Sequence, residues 1–255
     1  MHILFMIPDR PNLFLDYRKW EGPWGSEDMN AEVMTNNLQW LLKIVTSPNC
    51  PNILIFVPET KTMTKMYTFL FCYMLDNNLD PKALLNQVCG SSDATHKSKL
   101  LEKFSKGPLK VVVCTKVWGS GIDFSNVKLV VCFSGANQTL RDDWQEGGRA
   151  GRNNSRGAVV TYKVPSGGKS DPDLIALFKE SGCKRDFILK RLTLKDKDKE
   201  FRLPVTPFSS TDKIPSDKML CKICTCCSTH FEEHNCESIS KGPCCFIMSK
   251  KLTVK

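Results

Sequence analysis

The stretch Gln145-Glu146-Gly147-Gly148-Arg149-Ala150-Gly151-Arg152 sets two arginines three residues apart among glycines, at the end of a helix-prone segment. Arginine suits the gripping of phosphate oxygens: its planar fork donates paired charge-assisted hydrogen bonds and stays ionised at any working pH. Small neighbours let it come close. A plainer use of the same residues is a helix C-terminus, whose cations favour the macrodipole and whose glycines close the last turn. Upstream, Thr115-Lys116-Val117-Trp118-Gly119-Ser120-Gly121-Ile122-Asp123 offers a hydroxyl, two glycines that admit a close ligand, and an aspartate.

Cysteine makes the second chemical pattern. Cys221-Lys222-Ile223-Cys224-Thr225-Cys226-Cys227 contains Cys-x2-Cys-x2-Cys, and Cys183 supplies a fourth thiolate, the ligand number of a tetrahedral structural zinc. Cys226, His230, His234 and Cys236 are rival ligands, and disulfides or free thiols are the alternative chemistry. Of the 13 cysteines, Cys50, Cys72, Cys89, Cys114 and Cys132 sit in or beside apolar runs without paired spacing, as buried reduced thiols do. A reducing compartment fits that usage.

Two patterns that nucleotide hydrolysis on a P-loop requires are not found in these residues. A P-loop, Gly-x-x-x-x-Gly-Lys-Ser/Thr, cradles phosphates, and a strand-end Asp-Glu pair holds Mg²⁺ and water. Gly167-Gly168-Lys169-Ser170 imitates the end of a P-loop, but Lys163 occupies the first required glycine and Asp171-Pro172 follows where a helix should run. Phe231-Glu232-Glu233-His234 has no apolar strand before it.

The elements that must position these residues alternate. Ile53–Val57 and Val111–Cys114 are all-apolar, β-prone runs, the pattern of strands covered on both faces of a parallel sheet. Met1–Ile7, a run after Asn12, Asn86–Cys89, Leu129–Phe133 and Ala158–Tyr162 read as further strands. Helical spacing spans 28–45 and 61–75, Ser92 or Asp93 can cap a helix to Phe104, and Thr139–Glu146 leads into the arginines. Strands alternating with helices predict an α/β doubly wound sheet, with ligand groups at the carboxyl ends of the strands. Both the arginine and the Gly-Ile-Asp stretches are expected at such ends.

After Val164 the text changes to a turn, two short helices at 174–179 and 184–194, a Pro/Ser/Asp-rich loop and a cysteine-rich tail. The expected division is a main lobe over 1–165, a small helical zinc-binding subdomain over 166–230, and a tail over 231–255. A net charge of +9 is unevenly spread: residues 183–255 hold 15 Lys and Arg against 9 Asp and Glu. Basic surface favours polyphosphate partners. The composition, 41% hydrophobic and 25% charged, is that of a globular chain, and no run of about 18 apolar residues would span a membrane. Met1–Ile7 lacks the basic leader and cleavage site of a secretory signal.

Taken in order, these strings resemble the second RecA-like lobe of superfamily 2 helicases, and their wording is most similar to the RecQ family. Asp9-Arg10-Pro11-Asn12-Leu13 resembles the entry to that lobe, Ile53–Thr60 motif IV, Thr115–Asp123 motif V, Gln145–Arg152 motif VI, and Cys183-Lys184-Arg185 with Leu189 the start of the zinc subdomain. The resemblance implies an arginine finger, Arg152, at the γ-phosphate of ATP, with Arg149 and Gln145 lining the same cleft. It implies Asp123, Gly121 and Gly119 at the nucleotide, Thr60 and Thr115 on DNA phosphates, and Cys183, Cys221, Cys224 and Cys227 on Zn²⁺. ATP with Mg²⁺ would be held by a first lobe, in cis or in trans. The activity implied is 3′–5′ DNA unwinding in nuclear repair and recombination; the alternative is a non-catalytic module that binds DNA or protein. Two places depart from the family: Val117-Trp118-Gly119-Ser120-Gly121 stands for Ala-Phe-Gly-Met-Gly, and Val88-Cys89-Gly90 replaces a Tyr-His-Ala-Gly strand end.

Overall fold

Two runs without a charge decide the architecture. In Ile53–Val57, alternate side chains go to opposite sides: Ile53, Ile55 and Val57 join one apolar cluster, Leu54 and Phe56 the other. Val111 and Val113 divide from Val112 and Cys114 in the same way, and Leu129 and Val131 from Val130 and Cys132. A period of two with both faces apolar requires helices on both sides, since each face must be removed from water. The computed structural model describes residues 10, 12–116, 126–152, 155–165 and 167–192.

The described elements run β1 (Leu13–Lys19), α1 (Ala31–Val45), β2 (Asn52–Val57), α2 (Thr60–Asp76), α3 (Pro81–Leu84), β3 (Leu85–Val88), α4 (Ala94–Lys106), β4 (Val111–Thr115), β5 (Val127–Ser134), α5 (Leu140–Gly147), β6 (Gly157–Lys163), α6 (Pro172–Lys179) and α7 (Lys184–Leu192). The six strands form one sheet in the order β1-β6-β5-β2-β4-β3, and every neighbouring pair is parallel. This is the α/β doubly wound parallel sheet expected. The expected strand Met1–Ile7 lies outside the described residues.

Local chemistry sets the helix starts. Asn30 Oδ1 accepts from Val33 N at 3.0 Å and Asp93 Oδ1 from His96 N at 2.9 Å, so α1 and α4 begin one residue after a capping side chain. Thr139 and Asp142 form a reciprocal capping box at α5. Asp171 serves two helices: it accepts from Asp173 N at 2.9 Å and from Leu140 N at 2.7 Å, tying the start of α6 to the start of α5.

Helices α1 and α2 cover one face through Leu38, Leu41, Met66 and Leu70. The other face takes Leu100 and Phe104 of α4, Leu140 of α5, Leu174 and Leu177 of α6 and Ile188 of α7, packed with Leu13 and Leu15 of β1. Gly147 lets α5 lie close on the sheet, because a Cβ there would stand 2.9 Å from Val159 Cγ1.

One expectation about position is corrected. The arginines do not lie at the carboxyl ends of the strands. Helix α5 leaves the carboxyl end of β5 and returns across the sheet, so Gly148–Arg152 arrives where β5 and β6 begin. Gly151 N donates to the carbonyl of Val127, the first residue of β5, at 2.9 Å. The strand-end rule applies to loops that follow strands, and this stretch ends a returning helix instead.

Candidate nucleotide and nucleic-acid edges

At the amino edge, the arginine loop is held from below. Arg10 donates to the carbonyls of Gly148, Ala150 and Gly151, each at 3.0 Å, and Asn12 Nδ2 donates to the carbonyls of Gly151 and Ser155, each at 2.5 Å. Carbonyls left over at a helix end are thus satisfied by a guanidinium fork instead of water. Burial lowers the Arg10 pKa, and the charge of Arg152 lowers it further, so the two guanidinium groups lie within electrostatic reach. Arg185 of α7 anchors the chain below them, donating to the carbonyl of Arg10 at 2.8 Å and to that of Leu13.

Gly151 turns the chain with φ +61, and a Cβ there would stand 2.6 Å from Ser155 O. Arg152 follows, half-buried, with its carbonyl accepting from Ser155 Oγ at 2.9 Å. Arg149 is also half-buried, and its charge opposes the rise that burial and Glu146 impose on the Cys114 thiol. Gln145 is exposed on the last turn of α5. The Gly148–Arg152 loop is thus held at the amino edge by Arg10 and Asn12, just ahead of β1, while Gln145 stands a turn earlier on α5, next to Glu146.

The carboxyl edge holds the other set. Thr60 opens α2 directly after β2, exposed, and the preceding Glu59 makes no capping hydrogen bond with its side chain. Thr115 ends β4, opposite Val57 in register, and is buried. Lys116 comes next and pairs with Asp142 at 2.5 Å. Gly119, Gly121 and Asp123 lie outside the described residues, as do Cys221, Cys224 and Cys227. Cys183 is described: it is half-buried just before α7, and its Sγ accepts from Asp186 N at 3.4 Å. Among the described residues no three His, Cys, Asp or Glu side chains are grouped to hold a metal ion.

Sequence reasoning missed two buried acids between these edges. Asp143 and Glu146 face the sheet from α5, where a charged pair on a short helix ordinarily reads as a solvated face. Tyr17 OH and Ser134 Oγ each donate to Asp143 at 3.0 Å, and Gln138 Nε2 donates to Glu146 at 2.8 Å. Burial raises the Asp143 pKa to about 6, against the pull of those hydroxyls. Burial and the neighbouring Asp143 raise Glu146 to about 8, with Gln138 and Lys116 pulling the other way. The signal available in sequence was spacing: Leu140, Asp143 and Gly147 fall on one helical face, and that face is apolar at both ends.

A family model described as the helicase conserved C-terminal domain matches residues 36–154. The chain is 29% identical over 110 residues to the ATP-dependent RNA helicase ROK1 of Saccharomyces cerevisiae, covering 42% of this chain and 19% of that protein. It is 30% identical over 185 residues to the pre-mRNA-processing ATP-dependent RNA helicase prp5 of Emericella nidulans, covering 63% of this chain and 16% of that protein. The chain thus spans less than a quarter of the length of either helicase. Among solved structures, the yeast DEAD-box splicing factor Prp28 aligns with a TM-score of 0.48 at 17% identity, over 74% of this chain and 40% of that one. These relatives are named as RNA helicases, where the sequence strings resembled RecQ DNA helicases. The matched stretch, residues 36–154, is the part of the chain that carries Thr60, Thr115, Arg149 and Arg152.

Proposed function

We propose that the chain is the second motor lobe of an ATP-dependent superfamily 2 helicase and that its nucleic-acid substrate is RNA. The observation that carries this reading is the placement of two stretches on one sheet: the loop that ends in Arg152, pinned at the amino edge through Gly151, and Thr60 and Thr115 at the carboxyl edge. The pinned loop fits a phosphate group, since its guanidinium groups stand on backbone already fixed by Arg10 and Asn12. In the closed enzyme Arg152 would donate its fork to the γ-phosphate oxygens as charge develops there, while a first lobe, in cis or in trans, supplies the P-loop and Mg²⁺. Arg149 and Gln145 line the same side, with Asp123, Gly121 and Gly119 at the nucleotide. Thr60 and Thr115 give sequence-independent contacts to the phosphate backbone through hydroxyl and amide donors. RNA is favoured by the relatives, whose names specify it. DNA is the second reading, favoured by the RecQ-like wording of Gln145–Arg152.

The chain alone is expected to show no ATP hydrolysis, because an arginine finger without a P-loop has no phosphate to act on. Mixing it with a P-loop lobe of such a helicase should give hydrolysis that single-stranded nucleic acid stimulates. Stimulation by RNA over DNA of the same sequence supports the first reading, and the reverse order supports the second. Robust hydrolysis by the isolated chain, surviving removal of contaminants, overturns both.

The same proposal includes a structural zinc on Cys183, Cys221, Cys224 and Cys227 and residence in the nucleus. The amide of Asp186 aimed at Cys183 Sγ is the contact a thiolate ligand would accept. Metal analysis of reduced protein should find about one zinc per chain; a metal-free, fully folded chain removes the zinc.

A further inference from the structure

Three rings form a column inside the lobe. Tyr162 stacks on Phe133 with centroids 5.3 Å apart and planes at 12°, and Phe133 stacks on Trp24 at 4.8 Å and 25°. The column is fixed at its base, where Tyr162 OH accepts from Trp40 Nε1 at 2.7 Å and donates to the carbonyl of Asn37 at 2.6 Å. Trp20 flanks the column edge-on, 5.0 Å from Trp24, 5.6 Å from Phe133 and 5.8 Å from Tyr162, and donates through Nε1 to the carbonyl of Pro23 at 3.1 Å. Tyr162 is buried, but Trp24 is half-buried and lines, with Phe133, a cleft of about 630 Å³ at the carboxyl edge of the sheet.

The other walls of the cleft are polar. Lys116 brings a cation, and the hydrogen-bonded Gln138–Glu146 pair brings a carboxamide beside a carboxyl group. The end of β2, Val57-Pro58-Glu59, forms one side, and Thr60 follows it directly. A flat aromatic floor with hydrogen-bonding groups at its rim, one residue from a candidate phosphate contact, suits a planar heterocycle carried on a phosphate chain.

We propose that this cleft is a nucleobase site: one base of the bound single strand stacks on Trp24 as the next ring of the column, with its edge toward Gln138 and Lys116. The inference rests on the nucleic-acid reading above and deepens it, adding a base contact to a lobe whose other expected contacts are to phosphate. Because every base has a ring face, the site holds a base without selecting sequence.

The test compares the full 255-residue chain binding two oligonucleotides of equal length, a uridine homopolymer and the same ribose-phosphate chain without bases. The base-bearing strand is expected to bind about tenfold more tightly, the scale of one base–aromatic stack. Trp24→Leu, which keeps apolar bulk but presents no ring face, should remove that preference and leave the abasic affinity unchanged, whereas Trp24→Phe should retain most of it. Equal binding of the two strands by the unaltered chain overturns the base site while leaving the phosphate contacts standing, and so does a preference that survives Trp24→Leu. A chain that binds neither strand refutes the nucleic-acid reading itself, and the base site with it.

Discussion

Arg152→Ala is expected to lower ATP turnover by about 10³-fold or more in a reconstituted two-lobe enzyme, the scale attached to a lost arginine finger. Nucleic-acid affinity and folding should change little, because the residues expected on phosphate lie at the other edge of the sheet and the Arg152 backbone is held through Ser155 and Gly151. Arg152→Lys should restore little, since a single ammonium cannot present two parallel donors. Turnover and strand binding measured in the same preparations decide the matter. If turnover is unchanged and strand affinity falls, Arg152 belongs to the nucleic-acid contact and the assignment of the two edges is wrong.

Glu146→Gln is expected to stabilise the folded chain at alkaline pH, by on the order of a few kcal/mol at pH 8 and by almost nothing near pH 4. The folded carboxyls hold their protons to about pH 6 at Asp143 and about pH 8 at Glu146, well above the range in which an unfolded chain releases them. Between about pH 4 and pH 8 the folded state therefore binds more protons, and its stability falls as pH rises through that window. Asp143, Asp142 and Lys116 face Glu146 besides Gln138, and burial outweighs the help that Lys116 and Gln138 give the charged form. Glutamine keeps an acceptor for Gln138 and has no proton to lose. Chemical denaturation of both proteins from pH 5 to pH 9 checks this: curves that stay parallel across the range would show that Glu146 is ionised in the fold throughout.

The sheet was legible because its chemistry is local. Ile53–Val57 and Val111–Cys114 carry no charge and no turn residue, so a strand with two buried faces is the form that suits them, and the helix spacing between them follows. The arginines were legible as a phosphate grip, since that use depends on residue type and spacing. Their edge was not, because it depends on a helix crossing the sheet and on Arg10 reaching carbonyls 138 to 141 residues away in sequence. The same limit hid Asp143 and Glu146, whose burial comes from β5 and β1 closing over one face of α5. It also hid the Trp24–Phe133–Tyr162 column, assembled from a loop and two strands that no short window of sequence contains. What the RecQ-like strings could not decide was the polymer, because phosphate contacts by threonine and arginine carry no mark of the sugar.

Strand β5 starts at the carbonyl that holds Gly151 and finishes, at Ser134, beside the ring-floored cleft. Its eight residues span roughly 23 Å at about 3.3 Å per residue, nearly three times the ~8 Å Debye length of physiological salt. Between exposed groups at the two ends, charge is largely screened by the solvent. The strand is a strut hydrogen-bonded on both flanks, so a displacement of the arginine loop would be carried to the far edge with the lobe as one body.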